Sequence, residues 1–278
     1  MSELDLLRLL LLVSMAIGPL GTHRAQSRYS PGLHVAALAC AAIGLFTSAS
    51  FLTAGWLLFT VTSFGQFLYL RRATLLSRQA LAACVPFLFS NIAALWVVGG
   101  SNNLHILGYE VHFSYYAALH GNVLGWITLG AITILAERDP SRRGLYAAVV
   151  FVCLASFLSI AFGIDQLRPL KTIGIVGLSL ALPFALLVFL RSVWTTDRWA
   201  FVLGCVSLAG LAGTMLLAWR NELFVSFSLI GGIREMVSIH GLLNTLVVAP
   251  CLLFAATRKH PSPGVGDGVR ASNPRLGQ

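Results

Sequence analysis

Apolar runs of about 20 residues recur along this chain, each long enough to cross the roughly 30 Å hydrocarbon core of a bilayer as a helix. They fall near 4–20, 32–48, 51–70, 79–99, 111–135, 144–164, 171–190, 200–218 and 235–256. This pattern predicts an all-α, polytopic transmembrane bundle of eight to nine spans over residues 1–258. The first two runs are the shortest, and the tight Ser48–Ser50 connection also fits a kink inside one re-entrant hairpin. Charge agrees with the pattern. Only 10% of the 278 residues are charged, against about a quarter in a soluble domain, too few to cover a water-facing surface. A membrane β-barrel would show short segments alternating apolar and polar residues, and none runs through the sequence.

The start of the chain has the apolar stretch of a signal peptide, but Glu3 and Asp5 make a poor basic leader, so it is read as a retained first span. Cys40, Cys84, Cys153, Cys205 and Cys251 lie in five different runs with no CxxC pair, as small apolar fillers would. From residue 259 to 278 the chain turns to Pro, Gly, Ser and Arg, a composition expected to form a disordered cytoplasmic tail. One membrane domain is expected, with no evident internal repeat.

Orientation follows from alternate loops. Arg24 and Arg28; Arg71, Arg72 and Arg78; Arg138, Arg142 and Arg143; Arg191 and Arg198; and Arg258 and Lys259 all fall on one side of a nine-span arrangement. The positive-inside rule makes that side cytoplasmic and places the N-terminus outside. The formal charge of +9 is thereby assigned to anionic lipid headgroups and topology rather than to nucleic acid. No GxxxxGK[ST] or dinucleotide fingerprint is present, so nucleotide coupling within the chain is not expected.

Ionisable groups inside spans are costly and mark candidate sites. In the fifth run His112, Tyr116 and His120 recur at i, i+4 and i+8, a polar stripe down one helix face. In the last run His240 and Asn244, again i and i+4, form a second stripe, with Glu235 at the depth of His112. Both helices run the same way, so the stripes are expected to face each other, with Asn91 of the fourth run at similar depth. Glu110, Asp165, Arg220 and Glu222 are expected to line the outer mouth. Taken singly, Asn91, Asn122 and Tyr116 are what polar bonding between helices needs; the two histidines and a carboxylate exceed it. His23, His34, His105 and His260 read as loop or interface residues.

These residues give three readings. The first is a cofactor-independent enzyme that cyclises or isomerises an apolar, isoprenoid- or epoxide-bearing molecule by general acid–base catalysis. Here His240 and Glu235 are the acid–base pair and His120 and His112 a second donor. Asn91, Asn122, Asn244 and Glu222 position the substrate, with Tyr116 and Trp96 as an aromatic wall. The second is a transporter relaying protons through histidine and glutamate. The third is a haem or divalent metal held by His120 and His240. His112 and His120, about 12 Å apart along one helix, cannot share an ion, and no CxxCH attaches a haem.

The segments His112-Phe113-Ser-Tyr-Tyr116 and His240-Gly241-Leu-Leu-Asn244 resemble the HF-aromatic and HG-x-x-N segments of the YndJ-like family of bacterial membrane proteins. The resemblance implies the architecture above, from about the fourth span onward, in a bacterial cytoplasmic membrane. It emphasises His112 and His240. The family is often described as transporter-like, and the resemblance names no reaction.

Overall fold

In the computed structural model, residues 2–22, 30–164, 167–224, 229–230 and 233–258 are described. They form an α-helical bundle: α1 (Glu3–Thr22), α2 (Pro31–Phe46), α3 (Thr53–Arg71), α4 (Arg78–Ser101), α5 (Val111–His120), α6 (Leu129–Arg138), α7 (Arg143–Gly163), α8 (Arg168–Val193), α9 (Arg198–Leu223) and α10 (Ala249–Thr257). The π-helical segment Gly121–Thr128 joins α5 to α6 as one continuous span, and Met236–Gly241 and Asn244–Val248 lead the same way into α10. Eight helices among the described residues are long and apolar enough to cross a membrane. A two-residue antiparallel pairing, β1 (Leu229–Ile230) with β2 (Ile233–Arg234), precedes the last span. The positions Arg24, Arg28, His23, Asp165, Lys259, His260 and the rest of the tail lie outside the described residues.

The nine apolar runs are nine helical units, with one difference. At 16 residues α2 is about 24 Å long, short of a bilayer core. Ser30 caps it by accepting the Leu33 N–H, and Pro31 occupies its first turn, where a missing N–H costs nothing. A turn at Ser50–Leu52 then sends the chain back as α3. Gly44 approaches Thr53 and Gly55 approaches Cys40, so the runs form an antiparallel hairpin of two separate helices. His34 is not in a loop. It is buried in α2, with Nε2 bonded to the Met15 carbonyl at 3.2 Å and its ring against Trp56 and Phe59.

The segment 111–138 is the centre of the bundle: 83% of its apolar window is buried, against 28–56% in the other seven long helices. Small residues let its neighbours close in, the usual means of packing helices where lipid removes the hydrophobic drive. Gly21 of α1 meets Gly130, Trp126 lies over Gly18, and Gly125 abuts the Phe89 ring of α4. Trp126 Nε1 donates to Thr22 Oγ1 at 3.2 Å, fixing α1 parallel to α5–α6.

The α7–α8 hairpin closes around Gly174, where an added Cβ would stand 2.4 Å from the Ser156 carbonyl oxygen and 2.9 Å from the Ile160 nitrogen. Backbone atoms cannot step aside as a flexible side chain can. Gly174→Ala is therefore expected to cost about 1–3 kcal/mol by overpacking, read as a lower thermal midpoint of the detergent-purified protein. Gly144→Ala, with open space at its Cβ, is the control and should leave the midpoint in place.

Three arginines of the expected cytoplasmic loops tie helix ends together. Arg71 pairs with Glu137 at 3.3 Å, Arg138 donates to the Thr257 and Arg258 carbonyls, and Arg258 pairs with Asp197 at 3.1 Å. Asp197 also caps α9 through the Ala200 N–H. One end of the bundle is thus stapled by arginine across α3, α6, α9 and α10.

Candidate functional site

The opposite end carries the two polar stripes, and the structure brings their histidines together. The ring centroids of His120 and His240 lie 6.1 Å apart with 31° between the planes. His120 Nδ1 is 2.9 Å from the Tyr116 carbonyl oxygen one turn back, and His240 Nδ1 is 3.0 Å from the Thr214 carbonyl oxygen of α9. A carbonyl oxygen can only accept, so in each ring Nδ1 carries the hydrogen and Nε2 holds the lone pair. Neither Nε2 is bonded to a described residue. His120 is exposed and His240 half-buried, so the pair presents imidazole surface on two of the long apolar helices.

Both histidines stand where the helix widens. His120 is the last residue before the π-helical segment Gly121–Thr128, and His240 lies within Met236–Gly241. Such segments are rare and concentrate at functional sites, because the extra residue per turn re-aims side chains at the cost of helix geometry. The Thr128 hydroxyl bonding back to the Val123 carbonyl, five residues earlier, shows the wider turn in one of them. Asn122 and Ser238, within these segments, and Thr245, in the π-helical segment Asn244–Val248, hold buried side-chain polar atoms with no hydrogen-bond partner among the described residues.

Above the pair, charges knit four chain segments together. The Tyr116 hydroxyl donates to Glu3, which also accepts the Arg234 N–H at 3.0 Å and pairs with its guanidinium at 3.3 Å. Arg234 in turn lies over the Tyr116 ring. The next residue, Glu235, takes a forked ion pair from Arg220 of α9 at 2.8 and 3.1 Å. Tyr116→Phe should lower stability by about 1.5 kcal/mol, the lower end for a bond to a charged group, because Glu3 keeps Arg234. A thermal midpoint unchanged from wild type would show that the hydroxyl contributes nothing.

The other expected site residues are dispersed. Glu235 is paired with Arg220, 5 positions before His240 and not bonded to it. His112 is exposed at the same end of the bundle. Asn244 stays beside the pair, its Oδ1 accepting from the Thr214 hydroxyl at 3.3 Å. Asn91 bonds to the Phe87 carbonyl of its own helix at 2.7 Å and reaches the Thr60 carbonyl of α3 at 3.5 Å, the arrangement of a helix-to-helix bond. Trp96 belongs to an aromatic group with Tyr109 and Phe113. Glu222 is buried between α8 and α9, held by Lys171, Arg168 and Thr172 rather than lining a mouth. Glu110 sits at the start of α5.

A family model described as YndJ-like protein matches residues 6–248. The chain belongs to the YndJ-like family. The match reaches from α1 to the last π-helical segment, starting well before the fourth span from which the resemblance was expected, and takes in both histidines of the pair. No curated protein and no solved structure matches the chain. The apolar helices and the family together describe a multi-pass integral membrane protein in contact with lipid.

Three contributors to this YndJ-like site escape the sequence stripes. Glu3 sits at the first turn of an apolar run and reads there only as an obstacle to a leader peptide. Its depth, level with Glu235 in parallel spans, was the available signal. Arg234 adjoins a stripe without belonging to its period. Thr214 acts on His240 through its backbone carbonyl, which any residue possesses, so nothing in the sequence marks it.

Proposed function

We propose that this chain is a membrane-embedded enzyme that moves protons on an apolar molecule, isomerising or cyclising an isoprenoid- or epoxide-like substrate without a bound cofactor. The observation that carries the reading is the His120–His240 pair with both Nδ1 atoms anchored on carbonyls. Anchoring fixes tautomer and ring orientation, and it leaves two Nε2 atoms as proton acceptors on neighbouring rings. One Nε2 takes the proton leaving a substrate carbon, and the imidazolium so formed returns a proton at another carbon. The double bond moves, and the count of protons is unchanged.

Supporting features are the free surface of both rings within the span region, which an apolar molecule reaches from the bilayer, and the π-helical turns that aim them. In the same reading the pair lies in the outer half of a bacterial cytoplasmic membrane, with the arginine-stapled end inside. Glu235, engaged with Arg220, is a positioning residue rather than the acid–base partner. Asn244 and Asn122 orient the substrate beside the histidines.

The test is a proton count. Vesicles carrying the protein are incubated in D2O with isoprenoid alkenes and epoxides, and the recovered lipids are analysed by mass. Deuterium should enter a substrate carbon, dependent on His120 and His240. Recovery of every substrate unlabelled and unchanged would defeat the reading.

A further inference from the structure

Two imidazoles that give Nδ1–H to backbone carbonyls and keep Nε2 open have the outer-shell arrangement that metal-ligating histidines almost always show. Their spacing then restricts the geometry. With a metal–nitrogen bond of about 2.0 Å, an imidazole centre lies about 3 Å from its metal, so two trans ligands stand about 6 Å apart and two at a tetrahedral angle about 5 Å. The observed 6.1 Å matches the separation of two trans rings, the arrangement that results when both Nε2 atoms turn toward one ion.

Among the described residues no group of three or more His, Cys, Asp or Glu side chains is placed to hold one ion. That argues against Zn(II), which takes three or four protein ligands, and against hard divalent ions, which want six or more oxygens. The nearest carboxylates at this end are engaged, Glu3 by Tyr116 and Arg234 and Glu235 by Arg220. An ion content with two nitrogen ligands in line is a soft, filled-shell monovalent one, and imidazole suits copper.

We infer that His120 and His240 form a linear two-imidazole site for Cu(I), contributed by two helices at their π-helical turns. The site goes beyond the proton-transfer reading and uses the same lone pairs. A bound ion would occupy both Nε2 atoms and silence proton transfer.

The experiment is an anaerobic titration of the detergent-purified full chain with Cu(I) against a chromophoric chelator, repeated with Ag(I) as a redox-inert probe. One ion per chain is expected, with an X-ray absorption spectrum of two-coordinate nitrogen. Affinity should fall at least tenfold in His120→Ala and His240→Ala and persist in His112→Ala. His240→Met, which offers a soft thioether in place of the ring, should restore much of the binding and separates ligand loss from misfolding. Binding that survives both alanine substitutions, no stoichiometric binding, or a Soret band in the purified protein would each overturn the bare-ion site. The titration contains no substrate, so its failure leaves proton transfer standing, and absence of turnover leaves the copper site standing.

Discussion

His240→Gln should lower deuterium transfer to substrate by about 10²–10⁴-fold, the contribution of a positioned general acid–base group. Glutamine keeps a polar side chain of similar length next to the Thr214 carbonyl and lacks the proton-accepting nitrogen. The loss belongs in kcat more than in KM, because the lone pair is used during proton transfer and not to hold an apolar ground state. His120→Gln should behave alike, and the double variant should fall little further than either single one, as expected when groups act as a unit. His112→Gln is the contrast. Its exposed ring should cost less than about 0.5 kcal/mol, as substitutions away from buried features do. Equal losses at His112 and His240 would remove the pair from the chemistry.

The second large effect is on stability, and it separates the two carboxylates at this end of α9 and the last span. The Glu222 side chain is 4% exposed and takes Lys171, Arg168 and the Thr172 hydroxyl at once. Glu222→Ala leaves the Lys171 ammonium, 30% exposed, beside a buried hollow. Breaking a buried pair from one side costs about 3–5 kcal/mol, and the partial exposure of lysine puts the expected value near the lower figure, about 3 kcal/mol. The Glu235 pair is different. Arg220 is 52% exposed, so Glu235→Ala should cost no more than about 1 kcal/mol. Thermal unfolding of both variants in one detergent gives the comparison, and a Glu235 loss equal to that of Glu222 would contradict the assignment of burial.

Much of the fold was legible because a bilayer allows so few solutions. Once backbone groups must bond within their own segment, 20 apolar residues are a helix, and nine runs became nine helical units. The same logic made the histidine stripes readable. A period of four puts His112, Tyr116 and His120 on one face, and parallel spans bring His120 level with His240. Where the reading stopped short, the cause is physical. The expected partnership of Glu235 with His240 rested on depth alone, and depth does not say that Arg220 competes for the carboxylate across the helix. Glu222 looked like a solvated mouth residue because its cations come from α8, about 50 positions earlier. Asn91 was placed by depth alone, and it bonds toward α3, a direction that spacing within one helix cannot supply. The π-helical turns had no sequence mark at all, since the same apolar residues serve a regular helix.

Those turns make the central span a clock with one hour inserted. A regular helix advances about 100° per residue, and the wider turns of Gly121–Thr128 advance less. Forcing that segment into a regular helix with its residue count unchanged would leave His120 at its hour and reset everything downstream. Trp126 would turn off Gly18, its bond to Thr22 would break, and Gly130 would rotate away from Gly21. Taking one residue out as the turns tighten removes the inserted hour and brings the halves back toward their present phase, so in chains of this architecture the wide turns and the extra residue belong together.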